Sequence, residues 1–370
     1  MRWGRQHKGR TGCANSLTAR LRGWFNPDVF TPIETERLTI RTMDPTDAIA
    51  LQRRRNNPEV AVFQDWAVPS TLEDARDVVA SMSAMDGPED DEWWMATVAE
   101  SASGDVVGDL AVRLTWQGRT AEIGYSFDPE HWGRGYAAES VGAFVGWLFE
   151  AVAVTRVEAH LHPENRASAM VLERNGFLWE GETRLSHWVG DEVSHDWNYG
   201  LVRSDWVAWN ERPTSPPVEV SFTSVDSTNE RDVFRLKTHK TQEEFVAPMD
   251  HSFADALFPE VVDGKPLVPW MRVVVADGDY AGFVMLALST EHHSEPYLWR
   301  LLIDRMHQRR GIGGRVLDLV AEHCRESGDT TLVTSWVEGK GSPAPFYLSH
   351  GFVPTGRIID EETEARKILV

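Results

Sequence analysis

Two short stretches constrain the fold of this chain more than any other feature. Residues 131–139 read HWGRGYAAE and residues 306–314 read MHQRRGIGG. Each sets glycines two positions apart, beside arginine, at the foot of an amphipathic run. Val141, Phe144, Val145 and Leu148 recur at helical spacing after the first, and Ile312, Val316, Leu319 and Val320 after the second. The flanks match as well. WWMATVAE and VVGDLAVRLTW, joined by SASGD, read as a hairpin, and TAEIGYSF as a third strand before the first glycine stretch. TRVEAHL then reads as a strand, and a short helix leads to Asn175-Gly176-Phe177. In the second half MRVVVADGDYAGFVMLALS is strand, Asp-Gly turn, strand, and YLWRLLID precedes the glycines. TTLVTSWV and His350-Gly351-Phe352 close that half. One structural unit is thus written twice. At 370 residues two domains are expected. The segment WNERPTSPPVEV, with Pro213, Pro216 and Pro217, divides them, because proline cannot donate hydrogen bonds and favours extended chain. The expected boundaries are a basic arm at 1–30, domains at 31–205 and 219–370, and a linker at 206–218.

A glycine loop that opens a helix has a definite physical use. The first N–H groups of a helix have no intrahelical partner and carry partial positive charge. Glycine permits positive φ and close approach of a ligand to the backbone. Together these make an anion cradle suited to phosphate. Arg134, Arg309 and Arg310 would add charge beside it. Neither loop carries the GxxxxGK[ST] of a P-loop, and neither sits in a βαβ unit as a dinucleotide fingerprint would. The physics points to a phosphate-bearing ligand, twice. A purely structural turn is the alternative, weakened by the repetition in matching context.

The formal net charge is −20, although residues 1–25 hold Arg2, Arg5, Lys8, Arg10, Arg20 and Arg22 and no acid. So acidic a body argues against nucleic acid and favours cationic substrates; simple solubility would account for it too. The basic arm reads as a flexible tail, and a transit peptide would share its composition. No apolar run reaches the length of a membrane span, and no secretory signal is evident. Cys13 and Cys324 are the two cysteines, without a CxxC, so neither a disulfide scaffold nor a zinc site is expected and a cytoplasmic location fits best. Cys324 falls in a helical apolar pattern and reads as a buried small hydrophobe.

Gln308-Arg309-Arg310-Gly311-Ile312-Gly313 resembles the Q/R-x-x-G-x-G/A signature of the GNAT N-acetyltransferase superfamily, whose members bind the pyrophosphate of acetyl-CoA there. Trp132-Gly133-Arg134-Gly135-Tyr136-Ala137 is similar, with Trp in the Gln/Arg position. The resemblance implies an α+β fold of two tandem GNAT domains, each a mixed, mostly antiparallel sheet flanked by helices. It also implies acetyl-CoA as cosubstrate, held by both loops and by Ile303, with no metal. TERLTIR (35–41), AEIGY (121–125) and HPENRASAMVLERNGF (162–177) make the first half similar to ribosomal-protein N-terminal (Rim-type) acetyltransferases. On that likeness Glu122 is the general base, Asn165 contacts the pantetheine arm, and Ser168 lies near the thioester sulfur. FVAPMDHSFADAL, WRLLIDRMHQRRGIG and PFYLSHGFVPTGRI make the second half similar to spermine/spermidine-type acetyltransferases, with Tyr347 as general acid. Leu172 occupies the place of Tyr347 in the first half. The second half lacks a Glu at the position matching Glu122, which is Leu298; Glu295 is nearby but out of register, so the resemblance leaves the base of this half open. GKGSP stands there where many relatives have Asn.

The implied reaction is direct attack of a neutral amine on the acetyl carbonyl. Backbone N–H groups before the glycine loop steady the oxyanion, a carboxylate takes the amine proton, and CoA thiolate leaves. An α-amine, with pKa about 8, is roughly 10% neutral at pH 7, whereas a side-chain or polyamine amine near 10.4 is neutral about 0.04% of the time. That gap, about 3.4 kcal/mol, lets a single Glu serve an α-amine more easily. The chain has 16 Trp, and Trp93, Trp94, Trp179, Trp188, Trp197, Trp206 and Trp209, if in loops, would line a peptide groove; packing is the plainer use. The expected acceptor is the N-terminal α-amine of a peptide or modified peptide natural product. Polyamine or cationic-antibiotic acetylation is the alternative, as is one half serving only as a binding module.

Overall fold

The structure is a computed structural model that describes residues 30–189 and 192–369. Cys13 and nearly all of the basic arm lie outside the described residues. Strands β1 (Ile33–Glu34), β2 (Leu38–Thr42), β3 (Trp93–Glu100), β4 (Val106–Thr115), β5 (Thr120–Phe127), β6 (Arg156–Leu161), β7 (Leu178–Val189) and β8 (Glu192–Val202) form one sheet in the order β1-β2-β3-β4-β5-β6-β8-β7. Helices α1 (Ala48–Arg55), α2 (Pro58–Ala61) and α3 (Leu72–Ser83) follow β2. Helix α4 (Tyr136–Trp147) follows the first glycine stretch, α5 (Arg166–Arg174) follows β6, and α6 (Arg203–Glu211) follows β8. In the second half come β9 (Val220–Ser224), α7 (Glu230–Val233), α8 (Met249–Leu257) and the small hairpin β10 (Val261–Val262) and β11 (Lys265–Pro266). Then β12 (Pro269–Ala276), β13 (Asp279–Ala287), β14 (Tyr297–Ile303), α9 (Ile312–Glu326), β15 (Thr331–Trp336), α10 (Ala344–Ser349), β16 (Val353–Ile359) and β17 (Glu362–Ile368) complete the chain. Their sheet runs β16-β17-β15-β14-β13-β12-β9. Both sheets are mixed and mostly antiparallel, an α+β architecture as expected.

The strands read from alternation and turn signals are all present. The expected linker is partly helical: α6 takes in residues to Glu211 and buries Trp209, and it stops before Pro213, whose ring disfavours helix in the residue ahead of it. The chain divides into two compact units. One holds the described residues up to His162 with Arg184–Asp196; the other holds Pro163–Thr183 and the residues from Trp197 on. Helix α5, with Asn165 and Ser168, therefore belongs to the second unit.

In each half a parallel strand pair parts early. β5 and β6 pair only at Thr120↔Arg156, Ala121↔Val157 and Glu122↔Glu158. β14 and β15 pair only at Tyr297↔Val333. Past those residues the strands diverge toward the glycine loop, which leaves backbone groups of β5 and β14 facing a wedge. The helix after each loop supplies the core. Val141, Phe144 and Val145 of α4 are buried, and Ile312, Val316, Leu317, Val320 and Cys324 of α9 pack on Leu298, Leu332 and Trp336. Cys324 is the buried hydrophobe its spacing implies, and burial pushes its thiol up to about 12.

Candidate active site

The two loops share a backbone geometry that their sequences only partly share. In the first, Gly133 and Gly135 have φ of 75° and 83°. In the second, Arg309 and Gly311 have φ of 65° and 75°. Gly135 and Gly311 are the N-caps of α4 and α9, both left-handed. Alternating left-handed residues ahead of a helix turn successive N–H groups toward one point, the nest arrangement that holds phosphate oxygens. A non-glycine residue rarely accepts such φ, and Arg309 does so in an exposed position.

Trp132 departs from the signature in residue type and keeps its contact. The Trp132 indole N–H donates to the carbonyl of Phe127 at 2.8 Å. The Gln308 amide donates to the carbonyl of Ile303 at 3.0 Å. Each donor lies five residues past its acceptor, at the end of the strand before the loop. Both side chains tie the loop to that strand's last carbonyl, so Trp substitutes for Gln as a loop anchor.

The charges around the loops differ from expectation. Arg310 is 4% exposed, its guanidinium donating to the Ser215 carbonyl at 2.8 Å and meeting His307 at 2.9 Å. Its side chain holds the protein together and leaves Arg309 as the cation beside the second cradle, a correction to the pairing of both arginines with phosphate. In the first half Arg134 is half exposed, 3.8 Å from Glu100, while its carbonyl accepts from Arg37 at 2.9 Å. Arg37 also pairs with Glu139, in the first turn of α4, at 2.6 Å. Tyr136 donates to Glu100 at 2.5 Å. Ala137 and Gly313 start their helices behind the caps; a Cβ on Gly313 would lie 3.1 Å from the Phe346 ring.

Glu122 lies on β5 at its last residue paired with β6, where the wedge opens. Arg113, opposite on β4, donates to its Oε2 at 2.5 Å. Asn165 caps α5, its side-chain oxygen accepting the Ser168 N–H at 3.2 Å. Tyr347 is buried on α10 against Trp336 and Phe352, and burial pushes its phenol up to about 12. It therefore stays protonated at neutral pH, the state that a general acid needs. The tryptophans are not loop residues: Trp93 is on β3, Trp179 and Trp188 on β7, and Trp94 is fully buried.

Among known proteins, residues 37–178 match the model of the acetyltransferase (GNAT) domain and residues 233–352 that of the acetyltransferase (GNAT) family. The uncharacterized N-acetyltransferase p20 of Bacillus licheniformis is 32% identical over 152 residues, 40% of this chain and 84% of that protein. The uncharacterized N-acetyltransferase YoaA of Bacillus subtilis (strain 168) is 29% identical over 177 residues, 47% of this chain and 98% of that protein. A GNAT-family acetyltransferase structure from Bacillus anthracis covers 47% of this chain and 99% of its own, with 25% identity and a TM-score of 0.43. The chain belongs to the GNAT acetyltransferase family. It carries two GNAT domains in tandem, and acetyl-CoA is the cosubstrate of such enzymes. When bound, acetyl-CoA supplies the acetyl group as a thioester; the nests at Gly133–Gly135 and Arg309–Gly311 fit its pyrophosphate by their backbone geometry. Among the described residues no group of His, Cys, Asp or Glu side chains comes together to hold a metal, and no helix is long and apolar enough to cross a membrane.

The second unit of this GNAT chain also contains a small polar cavity of about 150 Å³, lined by Glu173, Trp179, His239, Lys240 and Arg305 among others. Sequence reasoning missed it because its residues come from distant segments. Glu173 is buried and accepts from Thr241 N–H and Tyr199 Oη, both at 3.0 Å; burial raises its carboxyl above the usual range. His239 is pushed down to about 4 by burial, reinforced by Arg305, Arg212 and Arg309. A histidine lowered in the folded state binds fewer protons there than when unfolded, so its contribution is present above about 6.5 and lost as pH falls toward 4. Urea unfolding of the wild type should lose stability over that interval by on the order of 1–3 kcal/mol more than unfolding of His239→Gln. Parallel pH curves for the two proteins would contradict this.

Proposed function

We propose that the protein acetylates the N-terminal α-amine of a peptide or modified peptide, with Glu122 of the first half as general base. The observation that carries this reading is the place of Glu122. It stands where β5 and β6 part, on the strand that runs into the first nest, with Arg113 fixing one carboxylate oxygen. One carboxylate so placed suits an amine that is already partly neutral at pH 7. The neutral amine attacks the acetyl carbonyl, N–H groups along the opened edge of β5 stabilise the oxyanion, and Glu122 takes the proton. Asn165 and Ser168 are proposed for the pantetheine arm and thioester sulfur by their place in the motif. The test is thiol release from acetyl-CoA with short peptides bearing free α-amines, beside spermidine and aminoglycosides. The peptides should give kcat/KM at least tenfold above the others. Turnover of only the polyamine or the aminoglycoside would replace this reading by detoxification of a cationic amine.

A further inference from the structure

A β-bulge in β14 shifts by one, away from Leu298, the residue of the second half that matches Glu122. Gly108 of β4 pairs with Phe127, and Gly282 of β13 pairs with Ile303. Both are glycines for the same reason: an added Cβ would meet Ser126 O at 2.7 Å or Leu302 O at 2.3 Å. From these matched anchors the strand pairs can be followed outward. In the first half the ladder is unbroken, Val112 faces Ile123 and Arg113 faces Glu122. In the second, Met285 faces Arg300 but Leu286 faces Leu298, so Trp299 is the extra residue of a bulge. Ala287 then faces Tyr297. Tyr297 therefore stands where Glu122 stands, and Leu298 corresponds to Ile123, buried in the core with α9. A second relation agrees: Glu122 and Tyr297 are each the last residue of their strand paired across the parting wedge.

Tyr297 has a carboxylate behind it. Its Oη lies 2.5 Å from Ser335 Oγ, and Ser335 in turn donates to Glu362 Oε2. The direction of the chain follows from the proton count. A serine hydroxyl has one proton, and an ionised carboxylate only accepts. The Ser335 proton is committed to Glu362, so Tyr297 must donate to Ser335. The phenol oxygen is left with lone pairs for an incoming proton.

We propose that Tyr297, Ser335 and Glu362 form the proton relay of the second acetyl-transfer site, with Tyr297 as the group that meets the amine. The amine nitrogen bonds to the acetyl carbon and the carbonyl electron pair moves to oxygen. The ammonium proton passes to Tyr297 Oη, the Tyr297 proton to Ser335, and the Ser335 proton to Glu362. As the C–S bond breaks, its electron pair goes to sulfur and Tyr347 protonates the thiolate. Glu362 loses its proton to solvent and the Tyr347 phenolate regains one from it, so the net change is one N–H and one thioester exchanged for one amide and one thiol. Burial keeps both phenols protonated at rest: Tyr347 is pushed up to about 12, and Tyr297 is raised as well. The relay rests on the acetyltransferase reading and assigns the second half its own turnover.

The experiment uses the full chain with Glu122→Gln, so that only the second half reacts, and spermidine, benzylamine and an alanyl tripeptide as acceptors. Tyr297→Phe and Glu362→Gln should each lower kcat by 10²–10³-fold with KM for acetyl-CoA within twofold. Tyr297→Glu should recover at least tenfold over Tyr297→Phe, because it places the carboxylate of the first half directly at this position; a structural tyrosine would show no such rescue. Calorimetric binding of acetyl-CoA by each variant checks the fold. Unchanged kcat in Tyr297→Phe overturns the relay, and so does inactivity of the Glu122→Gln parent when the wild type is active. Inactivity of the wild type toward every acceptor would instead overturn the acetyltransferase reading, and the relay with it.

Discussion

In a Tyr297→Phe background, where the second half is silenced, Glu122→Gln should lower kcat on a peptide α-amine by about 10²–10⁴-fold while acetyl-CoA still binds. The size follows from what the substitution keeps. A glutamine carbonyl accepts the Arg113 bond at the same place, so the 2.5 Å contact and the packing of Arg113 over Trp93 persist. What disappears is an oxygen able to take a proton. A guanidinium has donors and no acceptor, so Arg113 acts as an orienter of the carboxylate and offers no site for the amine proton. Its Nε is buried without a hydrogen-bond partner, which ties the guanidinium to this single task. Arg113→Met should therefore cost less than Glu122→Gln, chiefly in kcat, because the carboxylate survives but loses its fixed rotamer. Glu158, the partner of Glu122 across β5 and β6, has its own cation in Arg156 at 2.8 Å and does not replace it. Thiol release at saturating peptide measures the effect. Full activity of Glu122→Gln in the Tyr297→Phe background would remove the residue from the mechanism.

Much of the site was readable because its chemistry is local in sequence. Positive φ ahead of a helix demands residues that tolerate it, and Gly133, Gly135 and Gly311 announce it. Glu122 lies a fixed count from its loop because β5 is regular. Tyr297 was hidden for the converse reason: the extra residue at Trp299 leaves no mark in an apolar run such as YLWRLLI, where either face would be read as core. Arg310 was misread because a charged residue next to glycines looks solvent-facing, and only the fold brings the Ser215 carbonyl to it. The long hairpin of β7 and β8 escaped notice because its polar and aromatic residues do not alternate cleanly. The same holds for the Trp132 anchor, whose equivalence to Gln308 rests on a hydrogen bond and not on residue type.

Arg54→Met should destabilise the first unit by about 3–5 kcal/mol, and adding Asp109→Leu should restore a large part of it. Arg54, on α1, is 1% exposed. It donates to Asp109 Oδ2 at 2.6 and 3.0 Å, to Ser126 Oγ at 3.1 Å and to Asp128 Oδ2 at 3.2 Å. Asp109 and Asp128 are 4% and 3% exposed. Removing the cation leaves Asp109 buried without its ion-pair partner and with only the less direct charge of Arg55, while Asp128 keeps the more exposed Arg53 at 3.0 Å. A sequence reader expects arginine on a helix to face water, and no spacing rule reveals this one. The second half shows that the position does not require charge. By the register from Gly108 and Gly282, Asp109 corresponds to Phe283, which is fully buried among Val233, Met249 and Leu302. There the start of the loop is held differently: Asp304, matching Asp128, accepts the backbone N–H groups of Lys237 and Met306, both at 2.9 Å. An apolar contact thus does in one half what an ion pair does in the other, which is why the double variant should outlast the single one. Urea denaturation of both variants decides it. If Arg54→Met alone costs under 1 kcal/mol, or if Asp109→Leu deepens its loss, the buried cation is not what secures α1 against β4 and the strand that delivers the first glycine loop.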